Sequence, residues 1–332
     1  MSETISLNTT KTTSRYSMPT LGQSLTEVRT LGLLVMLALL TVLFSILSPY
    51  FLTLQNLFNI TTSVAVIGIA AVGLTFGIIA ESVDLSIGST IALAGVVTAG
   101  LVASGLPWWM AVPIGILVGV VIGITNGLAV TRIGVNPIIA TIAMLPIVRG
   151  LAFVYTGGWG IDIKDPGLVF LGRGYVLGIP FHLIIMLALY VGAYFILTQT
   201  AFGRHIYSTG GNPTASWLAG IDVNLYKVVA FVICAGSAAL SGVILSAKMG
   251  AALPEMAASY EMDVFTAVLL GGASLKGGAG TIQGTLLGVL LIGTVNNGLV
   301  LLNVPVYYQM IARGAFLLFA VTVDQLRSRR YE

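Results

Sequence analysis

Residues 30–80 read TLGLLVMLALLTVLFSILSPYFLTLQNLFNITTSVAVIGIAAVGLTFGIIA, a run of 51 residues that contains no Lys, Arg, Asp or Glu. Two further charge-free runs follow, of 47 residues at 85–131 and of 36 residues at 277–312. A helix of about 20 mostly apolar residues can cross the hydrocarbon core of a bilayer, so each of the first two runs can hold two spans and the third at least one. The sequence therefore predicts an all-α fold, a polytopic bundle of membrane helices.

The composition of the whole chain agrees with this prediction. Its 332 residues are 57% hydrophobic and only 8% charged, and the mean hydropathy is +1.00. Glycine is abundant, at 40 residues, and small residues let helix backbones approach closely in lipid. On so apolar a chain, a formal net charge of +3 is expected to set membrane orientation rather than to bind nucleic acid.

Apolar segments bounded by charges, Pro or Gly define the individual spans. They predict about ten spans, with eight to eleven possible: 31–48, 57–80, 86–104, 108–130, 137–155, 180–199, 227–247, 264–275, 281–301 and 307–323. The eighth has only 12 residues, and at 1.5 Å per residue it cannot cross about 30 Å of hydrocarbon, so it is predicted to be broken or re-entrant. The predicted limits are an N-terminal tail at 1–30, a transmembrane domain at 31–326 and a C-terminal tail at 327–332.

Basic residues outside the spans are distributed unevenly between the two sides. With a cytoplasmic N-terminus, the cytoplasmic segments hold ten of the 15 Lys and Arg residues: Lys11, Arg15, Arg29, Arg132, Arg204, Lys227, Lys276, Arg327, Arg329 and Arg330. The opposite side holds only Lys164, Arg173 and Lys248. Because cytoplasmic loops carry an excess of Lys and Arg, both termini are predicted to be cytoplasmic and the number of spans even.

The inner loop at 203–227, GRHIYSTGGNPTASWLAGIDVNLYK, contains the signature of a short helix. Asn212 is a good N-cap residue, and Pro213 suits the first helical position. Gly220 can adopt the left-handed conformation that ends a helix. The loop is therefore predicted to form a helix of about two turns between Asn212 and Gly220.

That short helix is predicted to present a flat face to another chain. Ala215 and Ala219 are four residues apart and lie on the same side, next to the pair Gly210 and Gly211, which is predicted to be flexible. A helix this short is marginal on its own, so we expect it to pack against a partner at the membrane surface. The alternative is an ordinary linker between two spans.

The outer loop at 157–180, GGWGIDIKDPGLVFLGRGYVLGIP, is rich in glycine. It contains Asp162 and Asp165, but no His or Cys accompanies them in a metal-ligand pattern. It is predicted to be a solvated loop that touches a partner outside the membrane, and no metal site is predicted.

Motifs for ATP hydrolysis and other enzyme chemistry are absent from the sequence. No Lys follows a Gly, so the phosphate-binding pattern GxxxxGK[ST] does not occur. Neither HExxH nor GxSxG is present. The sequence therefore predicts a protein that is not an enzyme and that uses no cofactor.

Polar residues at apparent membrane depth are the candidates for a translocation pathway. Ionisable groups are costly there and generally face a cavity or a partner. The candidates are Asp84, Ser86, Asn126, Arg149 and Asn297. For Asn126 and Asn297, a hydrogen bond between helices is the alternative.

Four stretches carry a resemblance to a known family: ESVDLSIGS at 81–89, AFGRHIYSTGGNPTASWLAGI at 201–221, VLLGGASLKGGAGTIQGTLLGVLLIGTVNNGL at 268–299 and VPVYYQMIARGAFLLFAV at 304–321. Together they resemble the membrane permease of bacterial ribose-type ABC sugar importers, over about residues 31–326. One departure is clear, because relatives carry Gly-Gly-Ile-Asp-Leu-Ser where this chain has Glu-Ser-Val-Asp-Leu-Ser at 81–86.

The resemblance implies a multi-pass protein of the bacterial inner membrane with several partners. It implies a second permease copy or a similar permease, a periplasmic sugar-binding protein, and a separate ATPase subunit with two fused nucleotide domains. The inner loop around Gly211, Asn212, Ala215 and Gly220 is then the surface that meets the ATPase.

Two other functions stay open at this stage. An ion-coupled secondary transporter would use membrane carboxylates such as Glu81 and Asp84 and would need no ATPase. A receptor-like membrane protein would bind without transport. The sequence does not name the sugar, so pentoses, hexoses, deoxysugars, sugar alcohols and furanose-like signalling molecules all remain possible.

Overall fold

The structure is a computed structural model that describes residues 21–328 of the chain. Its helices are α1 (Leu21–Leu47), α2 (Leu54–Ile79), α3 (Ile87–Ala103), α4 (Trp108–Leu128), α5 (Pro137–Thr156), α6 (Pro166–Arg173), α7 (Phe181–Gln199), α8 (Ala201–Gly211), α9 (Pro213–Leu218), α10 (Val223–Met249), α11 (Tyr260–Gly271), α12 (Ile282–Leu301) and α13 (Val306–Ser328). A π-helical turn, Ala129–Ile133, continues α4. Residues 1–20 and 329–332, with Lys11, Arg15, Arg329 and Arg330, lie outside the described residues.

Two short antiparallel ribbons connect the loops. Strand β1 (Ile161–Asp162) pairs with β4 (Ala251–Ala252), and β2 (Tyr175–Val176) pairs with β3 (Ile179–Pro180). The first ribbon joins the loop after α5 to the loop after α10, so these two loops lie at the same end of the bundle. The second is a hairpin that leads into α7.

The predicted polytopic helix bundle is confirmed. Within residues 21–328, seven helices are long and apolar enough to cross a membrane, namely α1, α2, α4, α5, α7, α10 and α12. Shorter apolar helices, α3 and α13, and the 12-residue α11 correspond to the other three predicted spans. The largest boundary difference is in α1, which begins at Leu21, ten residues before the predicted span and inside the predicted tail.

Helix α2 forms the centre of the bundle, and its residues from 64 to 79 are all buried. Small residues allow α10 to lie against it. At Gly73 a Cβ atom would overlap the backbone at Cys234, and at Gly123 of α4 it would overlap the backbone at Phe231. Close approach of this kind stabilises helix pairs through van der Waals contact in lipid, where the hydrophobic effect does not act between helices.

The connection between α2 and α3 folds back into the bundle. Glu81 pairs with Lys227, whereas Ile91 of α3 packs against Gly242, fifteen residues further along α10. Those fifteen residues rise about 22 Å, a distance that five extended residues and about one turn of α3 can cover. Residues 82–86 are therefore a non-helical, largely buried segment, and α3 begins well inside the bundle.

The predicted broken segment is also confirmed. Helix α11 has only 12 residues and follows the non-helical segment 253–259, in which Ala257 and Ser259 have positive φ angles of 57° and 67°. The start of α11 meets the start of α3 at Gly88, where a Cβ atom would overlap the carbonyl oxygen of Ala257 and the carboxylate of Glu261. Two interrupted helices thus meet inside the bundle.

Two details of the loops differ from the predictions. Gly210 and Gly211 are not a flexible pair, because they form the last turn of α8, and Gly210 is buried against the backbone of α2. The loop at 157–180 is not fully solvated, because α6 folds within it and buries Leu168 completely. In both cases tertiary packing orders a glycine-rich segment.

Candidate functional site

The short helix predicted in the inner loop is present as α9. The Asn212 side-chain oxygen accepts a hydrogen bond from the Ala215 amide at 2.9 Å, and Pro213 occupies the first helical position. Gly220 has a φ angle of 83°, in the left-handed region. The N-cap, the first residue and the terminator are all as predicted.

The surface of α9 is more apolar than the predicted alanine face. Ala215 and Ala219 are exposed, and so are Trp217 at 69% and Leu218 at 73%. Sequence reasoning missed the last two, although a Trp-Leu pair in an otherwise polar loop was a visible signal. Trp is enriched at the centres of protein interfaces, so α9 has the character of a docking element.

Three of the predicted pathway residues form one buried polar cluster. Asp84 Oδ1 accepts hydrogen bonds from the amide of Ser86 at 2.8 Å and from its hydroxyl at 2.6 Å. Asn126 of α4 donates to Ser86 Oγ at 3.1 Å and to Asp84 Oδ2 at 3.4 Å. These bonds satisfy polar groups of the non-helical 82–86 segment, which is largely buried inside the bundle.

Arg149 belongs to a second cluster. Its Nη1 donates to the backbone oxygens of Pro254 at 2.7 Å and of Met256 at 2.9 Å. Its charge is also attracted by Glu255 and Glu261. Arg149 therefore ties α5 to the non-helical segment that precedes α11.

Asn297 makes a reciprocal pair with Asn56. Each side-chain amide donates to the other's oxygen, at 2.8 and 2.9 Å, and the pair joins α12 to α2. Asn126 bonds instead to the non-helical 82–86 segment, so the hydrogen bond between helices that was the alternative is present for Asn297. The predicted pathway role of all five candidates stays a prediction.

Two ion pairs were not predicted from the sequence. Lys227 Nζ lies 3.1 Å from Glu81 Oε2, which links the start of α10 to the end of α2. Asp263 of α11 lies 3.5 Å from Arg313 and accepts a hydrogen bond from Asn296 at 3.1 Å. The two pairs join residues that are 146 and 50 positions apart, and pairing over such separations leaves no local pattern in the sequence.

A multi-pass bundle with helices interrupted at depth is an architecture of membrane transport proteins. Residues 56–321 match a family described as the permease component of branched-chain amino acid transport systems. This match spans most of the chain. The chain therefore belongs to this family of transport permeases, and it is a multi-pass protein of the inner membrane.

Relatives match along nearly the whole chain. The ribose import permease protein RbsC of Haemophilus influenzae is 40% identical over 309 residues, 92% of this chain and 94% of that protein. RbsC of Bacillus subtilis is 41% identical over 300 residues, 90% of this chain and 93% of that protein. The L-arabinose ABC transporter permease protein AraH of Azospirillum brasilense is 36% identical over 296 residues, 89% and 87% of the two chains. No solved structure gave a match. The resemblance to ribose-type ABC permeases is confirmed.

Proposed function

We propose that this chain is the membrane permease of an ABC importer that moves a sugar or a sugar-like solute across the bacterial inner membrane. The observation that carries the proposal is the identity of 40% over 92% of the chain with a permease named for ribose import. A relative named for L-arabinose supports sugars as the substrate class without fixing the sugar. The same relatives favour this function over the ion-coupled alternative.

ATP hydrolysis belongs to a separate ATPase chain in this proposal, and the missing GxxxxGK[ST] pattern supports that division. The ATPase docks on the α9 surface, which we define as Gly211, Asn212, Pro213, Ala215, Trp217, Leu218, Ala219 and Gly220. Exposed Trp and Leu side chains on a capped, preordered helix support this docking role.

Two further partners complete the proposed importer. A periplasmic sugar-binding protein delivers the solute at the opposite end of the bundle, where the exposed side chains of Trp159 and Leu177 supply apolar contact surface. A second copy of this permease, or a similar permease, forms the other half of the membrane unit.

The pathway candidates divide into three proposed roles. Asp84, Ser86 and Asn126 hold the non-helical 82–86 segment, and Asn297 holds α12 against α2. Arg149 holds the segment before α11 on the opposite side of the same junction. We propose that solute passes beside this junction of interrupted helices, where such sites occur in other transporters.

Reconstitution in vesicles tests the proposal. The permease is combined with its ATPase and its sugar-binding protein, and uptake of radiolabelled ribose and L-arabinose is measured with and without ATP in the compartment that holds the ATPase. We expect saturable uptake of at least one sugar that requires ATP and both partners. Uptake driven by a proton or sodium gradient in the absence of ATP would contradict the proposal and favour a secondary transporter.

A further inference from the structure

We infer that α8 transmits the position of α9 to the membrane helices, and that Tyr207 and Ser208 are the positioning residues for this transmission. The inference rests on the proposed docking of the ATPase on α9. Beyond that docking, it identifies the hydrogen bonds that transmit a movement of α9 and the membrane helices that receive it.

The first link joins α9 to α8. Ser208 Oγ and Ser216 Oγ share a hydrogen bond of 2.6 Å, and Ser216 is the one buried residue of α9. The backbone amide of Asn212 also donates to the backbone carbonyl oxygen of Ser208 at 3.0 Å. Because the two helices share a partly buried hydrogen bond next to their connection, they are expected to move as one unit.

The second link joins α8 to the turn at 272–281, which connects α11 to α12. Tyr207 Oη donates to the carbonyl oxygen of Gly280 at 2.7 Å. Burial raises the pKa of Tyr207, so the phenol stays protonated and keeps its donor. A shift of α8 therefore pulls directly on the turn between two membrane helices.

The third link joins the same turn to α2. The Gly278 amide donates to the carbonyl oxygen of Ile79, the last residue of α2, at 2.8 Å. Gly210 of α8 packs on both groups, and a Cβ atom there would overlap them. The end of α2, the turn and α8 thus form a single contact in which no side chain intervenes.

From this contact the chain continues directly to α3, one of the two interrupted helices. Glu81 follows two residues after Ile79, and the 82–86 segment then leads to the buried start of α3. On the other side, the amide of Leu275 in the same turn donates to Asp324 of α13 at 3.1 Å. Movement of α8 would therefore reach α2, α3, α11, α12 and α13 together.

The test separates transmission from docking by two measurements on the complete importer. The variant Tyr207→Phe/Ser208→Ala removes two hydroxyl groups and keeps the volume of both side chains nearly unchanged. Matched controls are Tyr194→Phe and Thr198→Ala, both at exposed positions on α7, outside the links. Copurification of the ATPase measures docking, and sugar molecules imported per ATP hydrolysed measure transmission.

We expect the double variant to retain the ATPase and to import at least about fivefold less sugar per ATP, the scale expected when two hydrogen bonds of ordinary strength are lost. Controls should leave both values unchanged. An unchanged import ratio in the double variant would overturn the inference. Loss of copurification in the double variant would overturn it as well, because these residues would then serve docking. Failure of the docking proposal itself is a different result, since the ATPase would copurify normally with Ala215→Glu.

A disulfide provides the second test. In Ser208→Cys/Ser216→Cys, oxidation should lock α8 to α9, and the native Cys234 is buried and does not compete. If the two helices move as a unit, sugar uptake should persist after oxidation. Uptake that is lost on oxidation and regained on reduction would overturn the claim that they move together.

Discussion

The Asp84 carboxylate is almost completely buried, and its hydrogen-bond donors are the Ser86 amide, the Ser86 hydroxyl and the Asn126 side chain. Removing it with Asp84→Ala leaves the Ser86 amide and the Ser86 hydroxyl without their acceptor at the start of α3. Each unpaired buried group costs about 1–3 kcal/mol. We therefore expect Asp84→Ala to lower uptake substantially, measured as transport at matched protein level.

Glu81→Gly is the matched variant three residues earlier, and we expect it to be tolerated. Glu81 has a φ angle of 57°, a conformation that glycine adopts without strain. The ion pair that is lost, with Lys227, is half exposed on the Glu81 side, and such pairs contribute about 0–1 kcal/mol. The relief of backbone strain and the loss of the ion pair therefore nearly offset each other. Severe loss of uptake in both variants would show that Glu81 has a role of its own.

Arg149 satisfies two backbone oxygens of a non-helical segment. Arg149→Met removes the donor from the oxygens of Pro254 and Met256, and each unpaired oxygen costs about 1–3 kcal/mol. We expect a lower thermal unfolding temperature in detergent and reduced uptake. Arg149→Lys keeps a donor and should recover part of both values, whereas Arg132→Met, at an exposed position, should change neither. A Met variant as stable and active as the native chain would contradict this role.

Among the helices, α9 allows a direct test of the proposed ATPase docking. Ala215→Glu or Ala219→Glu places a bulky charge on the proposed docking face, and Trp217→Ala removes its largest apolar side chain. Each change should weaken ATPase binding by about 2–5 kcal/mol if the site is central to the interface. Copurification from detergent-solubilised membranes measures the effect, with Thr198→Ala, at an exposed position on α7, as the control.

Normal copurification and normal ATP-dependent uptake in both glutamate variants would contradict the docking role. The loop would then be an ordinary linker. Insertion of the permease in the membrane should not change in any of these variants, because α9 lies outside the membrane helices.

The elements that the sequence predicted correctly are those with a local signal. The seven long apolar helices and α9 follow from apolar length, from charge and from the capping residues Asn212 and Gly220. The start of α3 was predicted to within one residue, at 86 against Ile87, but its depth in the bundle was missed, because no local pattern shows that the preceding segment folds back between helices. Helix α8 was missed because Gly210 and Gly211 favour a turn when read locally. In the structure Gly210 packs against the backbone of Ile79, more than a hundred residues away, so this glycine allows close packing rather than a turn.

The site was predictable in part for the same reason. Asp84 and Ser86 could be predicted as candidates because they are polar residues, two positions apart, next to an apolar run. Asn126 was also predicted as a pathway residue, but its hydrogen bonds to Asp84 and Ser86 were not predicted. Long-range pairs such as Lys227 with Glu81 and Asn297 with Asn56 depend on helix packing, which no local pattern encodes.

For the whole molecule, the loops alternate between two ends of the bundle. The Gly278 to Ile79 hydrogen bond puts the turn at 272–281 beside the end of α2, and the β1–β4 ribbon lies at the other end. With the excess of basic residues on the first side, we predict that both termini are cytoplasmic. A reporter fused to the C-terminus should show cytoplasmic activity. An active alkaline phosphatase fusion at that position would contradict the predicted orientation.

The buried start of α3 has a consequence for how the chain is made. Asn126 lies 42 residues after Asp84, so on the ribosome the second helix and the third emerge before the amide that completes their polar cluster. Until α4 is synthesised, the carboxylate has only its own neighbour Ser86 to replace water. We therefore expect the 82–86 segment to remain hydrated during insertion, and the first four helices to leave the insertion machinery as a group rather than one at a time.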